Sequence, residues 1–496
     1  MKITIDKNGK TPLYMQIAAM LKNQILSGEL AVGSTLPSER VLAQILGVHR
    51  NTIIKAYNEI KAEELIDSFQ GVGYLVSAGQ NENAENVAES SKNKKAKSVN
   101  WTSQIKDEYL DMEITFDDLF QRFSDESKIS MGSGISAPGI YDEEEIVKRI
   151  AALISEEGKN QYFYSPYKGD KFLRQKLVSF LSMKGVKASS GEIQIVTETN
   201  QALDFIVMLL IKTGDTVIME EPVSPDAYRA MELGGARIVT VPVDKDGMET
   251  NSLERLVNIR KPKLIYVNSS FHDPTGSILT LERRKKIIDI SNKYRIPIVE
   301  EDAASELVYE GKKLPPIKSL DTAQNVIYIY SFSLTFVPGL SLAFIVADKN
   351  VIRSLSYLVS VRMMAVDWLS QKLIAGYLDD GSYYGLLNIF RKDYYRKQSI
   401  VCNALDSMKH LGIEYRKPRG GVYIWCKLPP GIDCKHFINK AYKNGISLLP
   451  GYIFYPFKNG GRDHIRINYS YETDEKIKLG MQIFKKLIES ELAHKK

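Results

Sequence analysis

A group of polar side chains near residue 50 has the chemistry to contact nucleic acid. Arg50 and Lys55 carry positive charge, and Asn51 and Thr52 can form hydrogen bonds. Cationic side chains neutralise phosphates, while amide and hydroxyl groups bond to phosphates or to base edges. Residues 1–78 hold eight Lys or Arg against seven Asp or Glu, so overall charge does not argue for such a partner. The argument for a nucleic-acid partner is instead that these four side chains lie together in the sequence.

Three helices and a hairpin are expected to position this group. Apolar residues at helical spacing predict helices over 12–30, 36–48 and 49–65. Ser38 is suited to cap the second helix, and Gly47 permits a tight turn before the third. The run LIDSFQGVGYLV, at 65–76, predicts a hairpin with glycines at its tip. The pattern is typical of a helix-turn-helix followed by a wing.

Four motifs in this segment resemble those of the GntR family of winged-helix DNA-binding domains. They are PLY-x-QI, LPSER-x-LA, LGV-x-R-x-T and G-x-G-Y-x-V, in that order. The resemblance implies double-stranded operator DNA as a partner. The DNA-binding positions that it implies are Ser38, Arg40, His49, Arg50, Asn51, Thr52, Lys55, Gly71, Gly73 and Tyr74. A small helical domain that binds no DNA is the alternative.

The region after residue 78 is expected to be a flexible linker. Residues 79–106 are rich in Asn, Glu, Lys, Ala and Ser and cannot bury enough apolar surface to order themselves. A coil of this length spans on the order of 30 Å. Because 496 residues are too many for one hydrophobic core, we expect a winged-helix domain over 1–78 and a larger domain over 107–496.

Short apolar runs alternate with helical segments throughout the larger domain. The runs EIQIVTE, DTVIMEE, KLIYVNSS, PIVEED and NVIYIYS are rich in β-branched residues. Several are separated by stretches such as LERRKKIIDISNKY, which has helical character. This alternation predicts an α/β domain with a largely parallel sheet covered by helices on both faces.

The larger domain also resembles fold type I aminotransferases along nearly its full length. The segments that carry the resemblance are 132–141, 164–181, 196–205, 220–228, 273–276, 299–311, 330–344, 416–425 and 464–470. It implies a smaller C-terminal α+β subdomain, a homodimer and pyridoxal 5'-phosphate as cofactor. A winged helix, a linker and this domain in one chain resemble the MocR subfamily of GntR regulators.

Leu334 stands where the resemblance places the lysine that forms a Schiff base with this cofactor. An aminotransferase needs that lysine to anchor the cofactor and to move the proton. We therefore assign no catalytic residue and expect no covalent cofactor. Noncovalent binding stays open because Ser331 and Gln201 remain, whereas nothing in the spacing favours Lys168 as a substitute lysine.

Other positions that would contact the cofactor have changed as well. Glu301 takes the place of the carboxylate beside the pyridine nitrogen, Ala303 that of a tyrosine, and Ser224 that of a stacking aromatic residue. Asp273 replaces an asparagine and would repel the ring oxygen, and Ser341 replaces the arginine of the phosphate site. The ligand or cofactor positions that the resemblance implies are Thr199, Asn200, Gln201, Ser224, Asp273, Glu301, Ala303, Ser331, Ser333, Leu334, Ser341 and Arg466.

Arg466 leaves two interpretations open. In the family, its segment clamps a substrate carboxylate, so a small carboxylate or amino-acid effector is one hypothesis. A structural ion pair is the other.

The amino-acid composition indicates in which cellular compartment the protein is expected. The three cysteines, Cys402, Cys426 and Cys434, have no metal-binding spacing, so no metal is expected, and their small number fits a reducing cytosol. No apolar run reaches the ~18 to 20 residues of a membrane span, and the first residues lack a signal-peptide core. A cytoplasmic location is therefore expected.

Three functions fit the sequence. The first is a DNA-binding transcription regulator whose degenerate aminotransferase-like domain senses a small molecule and dimerises. The second is an active aminotransferase that also binds DNA, and the third is a regulator that binds pyridoxal phosphate noncovalently. Leu334 favours the first over the second.

Overall fold

The chain divides into two compact units in the computed structural model. They are Met1–Asp118 and Leu119–Lys496. The residues that the structure describes are 5–6, 11–31, 33–69, 73–77, 119, 121–158, 163–340, 342–457 and 459–493. The expected linker, 79–106, lies outside the described residues together with both of its boundaries, so the three-part division stays a prediction.

The N-terminal unit is a winged helix. Its helices are α1 (Leu13–Leu26), α2 (Glu39–Leu46) and α3 (Arg50–Ala62), and its strands are β1 (Ile66–Phe69) and β2 (Gly73–Val76). The apolar faces of the helices bury Ile17, Leu42 and Tyr57 in one core. The strands pair antiparallel, with Ile66 opposite Val76. The sequence prediction of a helix-turn-helix and a wing is confirmed here.

The C-terminal unit alternates helices and strands. Its helices are α4 (Glu143–Glu157), α5 (Lys171–Met183), α6 (Thr199–Leu210), α7 (Pro225–Leu233), α8 (Thr250–Arg260), α9 (Leu281–Tyr294), α10 (Ile317–Leu320), α11 (Lys349–Arg362), α12 (Trp368–Asp379), α13 (Ser382–Asp406), α14 (Cys434–Lys443) and α15 (Asp474–Ala493). Its strands are β3 (Ile129–Ser130), β4 (Ile193–Val196), β5 (Thr216–Glu221), β6 (Arg237–Asp244), β7 (Gly247–Met248), β8 (Leu264–Asn268), β9 (Ile298–Asp302), β10 (Val326–Ser331), β11 (Ala343–Val346), β12 (Glu414–Tyr415), β13 (Tyr423–Lys427), β14 (Ile446–Ser447), β15 (Leu449–Pro450) and β16 (His464–Asn468).

Eight strands form the main sheet, in the order β4-β11-β10-β9-β8-β5-β6-β7. The run from β10 to β6 is parallel, and β11 and β7 pair antiparallel with their neighbours. Strands β8 and β10 are buried along their full length, as expected when helices cover both faces. The predicted α/β domain with a largely parallel sheet is confirmed.

Alternate residues of the strands pack on opposite faces of this sheet. Met219 and Tyr266 share a core with residues of α6, α7 and α11. Their sequence neighbours Ile218 and Ile265 share another core with residues of α8 and α9. The sheet is therefore fixed from both sides, and it holds the ends of its strands in a rigid frame.

A smaller antiparallel sheet follows, in the order β12-β13-β16-β15, with α14 and α15 beside it in the chain. It forms the expected C-terminal α+β part. No helix in the described ranges is long and apolar enough to cross a membrane. The described residues also contain no group of three or more His, Cys, Asp or Glu side chains placed to hold a metal ion.

Candidate functional sites

The start of α3 presents the polar group that the sequence indicated. His49 precedes the helix, and its Nδ1 accepts a hydrogen bond from the backbone N–H of Asn51 at 3.4 Å. Ser38 lies before α2, where its Oγ accepts from the N–H of Val41 at 3.4 Å. Local capping therefore fixes the first turns of both helices of the helix-turn-helix.

Glu39 links the two helix starts to the wing. Its Oε2 lies 3.0 Å from Nη2 of Arg50, and its Oε1 accepts from the hydroxyl of Tyr74 at 3.1 Å. The ring of Tyr74 also meets that of Tyr57 edge-on, at 4.8 Å between centroids. These contacts hold Arg50 in place, although its side chain stays 40% exposed and can reach a ligand.

Most of the predicted DNA-binding positions lie in one part of the N-terminal unit. Ser38, Arg40 and His49 are exposed, and Arg50, Asn51 and Thr52 are half-buried beside them. The half-buried positions Lys55 and Tyr74 lie farther along α3 and on β2. Gly73 begins β2, and Gly71 lies outside the described residues. Their assignment as DNA contacts stays a prediction.

A cavity of about 280 Å³ opens at the carboxyl ends of the parallel strands of the main sheet. Glu301 lies at the end of β9, Ser331 ends β10, Asp273 follows β8 and Ser224 follows β5. In open α/β sheets, ligands bind at the carboxyl ends of the strands. The fold therefore gathers side chains that are far apart in the sequence around one space.

Nine of the twelve predicted ligand positions line this cavity: Thr199, Asn200, Ser224, Asp273, Glu301, Ala303, Ser331, Ser333 and Leu334. Gln201 does not, because its side-chain oxygen accepts from the backbone and hydroxyl of Thr197, at 2.9 and 3.0 Å. Arg466 does not line the cavity itself but bonds to Asp273, which does. Ser341 lies outside the described residues.

Leu334 sits in the turn that follows β10, at the wall of the cavity. Its side chain is buried, and the next aromatic residue, Phe336, packs into the core with residues of β10 and β11. The Ser331 hydroxyl donates to that of Ser333 at 3.0 Å, which holds the turn. The position of the expected lysine is therefore occupied by an apolar side chain that can form no Schiff base.

Glu301 faces the cavity from β9. Its Oε2 accepts a hydrogen bond from the hydroxyl of Tyr266 at 2.5 Å. Burial, the hydrogen bond from Tyr266, which lowers the pKa, and the nearby carboxyl groups of Asp273 and Asp226, which raise it, together bring the pKa of this carboxyl to about 7. Near neutral pH, Glu301 is therefore divided between its protonated and ionised forms.

The adjacent Asp302 points to a different set of partners. Its Oδ2 accepts from the hydroxyls of Tyr328 and Ser305, at 2.6 and 2.7 Å, and lies 3.2 Å from Nζ of the buried Lys184. Burial opposes ionisation, but Lys184 and these hydrogen bonds hold the pKa of Asp302 below its ordinary value. Of these two adjacent carboxyl groups, Glu301 is thus the one that lines the cavity.

Arg466 forms an ion pair with Asp273 through one of its terminal nitrogens. Its Nη1 lies 2.8 Å from both carboxylate oxygens, and its Nη2 donates to the backbone oxygen of Gly132 at 2.8 Å. The guanidinium stacks over the ring of Tyr423, 4.2 Å from its centroid, and the side chain is only 7% exposed. Of the two interpretations that the sequence left open, this geometry is that of the structural ion pair.

Two of the lining residues that the sequence analysis did not assign are polar and central to the cavity's chemistry. Asp226 lies in the first turn of α7, two residues after Ser224, and Tyr423 begins β13. Asp226 stood inside a segment that carried the resemblance, so its charge could have been noted. Tyr423 also stood inside such a segment, 416–425, but only the packing of the smaller sheet shows that it reaches the cavity.

Comparison with known proteins gives two family matches. Residues 128–483 match the family described as "Aminotransferase class I and II". Residues 13–76 match "Bacterial regulatory proteins, gntR family". The two matched ranges fall one in each of the compact units.

Individual relatives match most of the chain. The uncharacterized HTH-type transcriptional regulator YdfD of Bacillus subtilis is 29% identical over 475 residues, which is 96% of each chain. The probable rhizopine catabolism regulatory protein MocR of Rhizobium meliloti is 26% identical over 404 residues, 80% of this chain and 78% of that protein. A solved structure of Pyrococcus horikoshii kynurenine aminotransferase, in complex with PMP, is 27% identical, with a TM-score of 0.74 over 79% of this chain and 98% of that chain.

Proposed function

We propose that this chain, which belongs to the aminotransferase class I and II family and is a transcription regulator of the MocR type, uses its aminotransferase-like domain as a noncatalytic small-molecule sensor. The observation that carries the proposal is Leu334 at the wall of the cavity. Lysine is absent from the described residues that line it. A side chain that can form a Schiff base is the first requirement of transamination.

Membership of this family implies pyridoxal phosphate, so the fit of the lining to that group can be tested. The lining includes the carboxyl groups of Glu198, Asp226, Asp273 and Glu301, and no arginine or lysine among the described residues. A phosphate dianion needs cationic or N–H donors, and a carboxylate about 4 Å away costs on the order of 4 kcal/mol at an effective dielectric constant of about 20. The described lining therefore gives the phosphate no cationic side chain and leaves only the N–H groups at the start of α6 to receive it.

The N-terminal unit supports a DNA-binding role. The gntR-family match implies DNA binding, and Arg50 lies at an exposed helix start with Asn51 and Thr52. A homodimer is expected from the resemblance to fold type I aminotransferases, and it would let two winged helices occupy two half-sites. A cytoplasmic location is expected of a protein that must reach its operator.

Loss of catalysis is tested with the purified full-length protein and added pyridoxal phosphate. We expect no visible internal-aldimine band and no cofactor fixed to a peptide by borohydride. A band that borohydride fixes to one lysine-containing peptide would refute the proposal. The Pyrococcus-type aminotransferases provide the positive control for the assay.

DNA binding is tested by fluorescence anisotropy with the DNA upstream of the protein's own coding region. Arg50→Ala is expected to weaken binding and to lower the slope of log K against log salt by about one. Arg260→Ala removes one exposed positive charge from the end of α8 in the C-terminal unit and is the matched control. Equal losses of DNA affinity in both variants would show a nonspecific charge effect and contradict the assignment of Arg50 to the DNA interface.

A further inference from the structure

The carboxylate of Glu39 lies where three elements of the N-terminal unit meet. Glu39 is the first residue of α2. Its Oε2 is 3.0 Å from Nη2 of Arg50, which begins α3, and its Oε1 accepts a hydrogen bond from the hydroxyl of Tyr74 on β2 at 3.1 Å. One carboxylate therefore joins α2 to the helix and to the strand that are predicted to approach DNA.

The backbone around Glu39 is held by contacts that do not involve its carboxylate. The N–H of Leu36 donates to the backbone oxygen of Tyr74 at 2.8 Å, so the segment before α2 is bonded to the wing. The hydroxyl of Tyr57 donates to the backbone oxygen of Pro37 at 2.7 Å, and the rings of Tyr57 and Tyr74 meet edge-on. A substitution at Glu39 therefore changes the carboxylate without removing the frame that surrounds it.

Helix stability accounts for a carboxylate in the first turn of α2, but not for its two partners. A negative charge near the start of a helix interacts favourably with the helix dipole. A capping hydrogen bond is already supplied by Ser38, whose Oγ accepts from the N–H of Val41. Neither effect needs a carboxylate that bonds to Arg50 and Tyr74. The contacts of Glu39 therefore indicate a role beyond the stability of α2.

The ion pair restricts the orientation of the Arg50 side chain. Glu39 holds Nη2 of Arg50, while Nε is buried with no hydrogen-bond partner among the described residues. Each terminal nitrogen carries two N–H groups, so both can still donate outward from a side chain that is 40% exposed. Two such donors match O6 and N7 of guanine. Restraining a side chain in its bound orientation lowers the entropy that binding costs.

The same carboxylate acts in opposite directions on specific and nonspecific DNA binding. Nonspecific affinity depends on the number of phosphates that cationic side chains neutralise. A carboxylate 3.0 Å from the guanidinium of Arg50 offsets part of that charge and itself repels phosphates. Specific binding also needs a base contact of defined geometry. Glu39 therefore weakens the attraction to any duplex and favours the duplex in which Arg50 meets its base.

We propose that Glu39 is a specificity-determining positioning residue that acts through Arg50. It orients the guanidinium for a base edge in the major groove, with guanine as the best fit, and it lowers the affinity for DNA that lacks this base. Through Tyr74, the same carboxylate fixes the wing relative to the start of α3. The inference rests on the proposed DNA-binding function and deepens it, because it assigns the discrimination between operator and other DNA to an acidic side chain.

The test measures the ratio of two DNA affinities of the full-length protein by fluorescence anisotropy. The probes are the DNA upstream of the protein's own coding region and a duplex of equal length and composition in scrambled order, at several salt concentrations. For Glu39→Gln we expect this ratio to fall about tenfold or more, as for loss of a charge-assisted hydrogen bond. Affinity for the scrambled duplex should rise, with a slope of log K against log salt that is steeper by about one. An unchanged ratio, or loss of both affinities in a folded variant, would refute the inference.

Two further variants separate charge from position. Glu63→Gln removes a carboxylate at the other end of α3, where it pairs with Lys22, and should leave the affinity ratio at the wild-type value. Glu39→Asp keeps the charge but is one methylene shorter, so it should keep the wild-type affinity for the scrambled duplex and lose operator affinity. A ratio lowered equally by Glu63→Gln and Glu39→Gln, or a wild-type ratio in Glu39→Asp, would contradict a positioning role.

A double-mutant cycle tests whether Glu39 acts through Arg50. In the Arg50→Ala background, Glu39→Gln should leave the affinity ratio unchanged, and an equal further fall there would overturn the inference. Circular dichroism checks that each variant is folded. A wild-type protein that binds both duplexes equally would contradict the proposed regulator function itself. A specific wild type whose ratio Glu39→Gln leaves unchanged would contradict only the role of Glu39.

Discussion

Glu301→Gln gives a stability test of the cavity's electrostatics that needs no ligand. The amide is close in size to the carboxyl and can still accept the hydrogen bond from Tyr266. The substitution removes the ionisable group, and with it the free-energy cost of ionising a buried carboxyl. The groups that face Glu301 are Tyr266 on β8, Asp273 after β8, Asp226 on α7, Asp302 on β9 and Glu220 on β5.

The sign of the effect follows from the folded and unfolded pKa values. Glu301 has a pKa of about 7 in the folded protein, above its ordinary value of 4.5. Between these values the folded state binds more protons than the unfolded state, so this group lowers stability as pH rises. Each pH unit between the two values is worth about 1.4 kcal/mol. Glu301 therefore lowers the free energy of unfolding by about 1.4 kcal/mol near pH 5.5 and by about 3.4 kcal/mol near pH 8.5.

The free energy of unfolding of the variant, relative to that of the wild type, should accordingly rise by about 2 kcal/mol between about pH 5.5 and about pH 8.5. Urea unfolding of the C-terminal unit at both pH values measures this, with the midpoint and slope fitted separately. Any constant effect of the amide cancels in the difference between the two pH values. Glu282→Gln, which is exposed, should show no such growth. A gap between Glu301→Gln and wild type that is equal at both pH values would refute the assigned pKa.

Three further variants test the charges and the lost lysine. Asp273→Ala leaves Arg466 buried without its partner and should destabilise the domain by about 3 to 5 kcal/mol in urea unfolding, and a smaller loss would show that the pair is dispensable. Lys184→Met removes the buried partner of Asp302 and should cost a similar amount; an unchanged midpoint would mean that this pair does not stabilise the domain. Leu334→Lys should give no borohydride-fixed cofactor, because the carboxyl groups of the cavity remain; a stable adduct would show that the lysine alone was missing.

The sequence predicted much of the fold because the patterns that encode it are local. Helical spacing of apolar residues and glycines at turns gave the winged helix, and buried β-branched runs gave the parallel strands. The motif order then pointed to Leu334 and to most of the cavity positions, since each lies next to a strand end. Gln201 was an exception: it belongs to the right helix start but bonds to Thr197.

Arg466 shows the limit of that reasoning. Its type and place in the chain indicated either a carboxylate clamp or an ion pair, and the sequence contained nothing to choose between them. The choice depends on Asp273, which lies 193 residues away in the chain. Only the packing of β16 against the loop after β8 brings the two groups to 2.8 Å.

The sequence by itself determined the two kinds of domain, the polar start of α3 and the absence of a lysine at residue 334. The tertiary structure decided what the altered positions do together. Asp226, Asp273 and Glu301 come from separate elements, and their charges matter only because the sheet brings them around one cavity. Coulomb interactions depend on distance in space and on burial, and neither quantity is written in the order of residues along the chain.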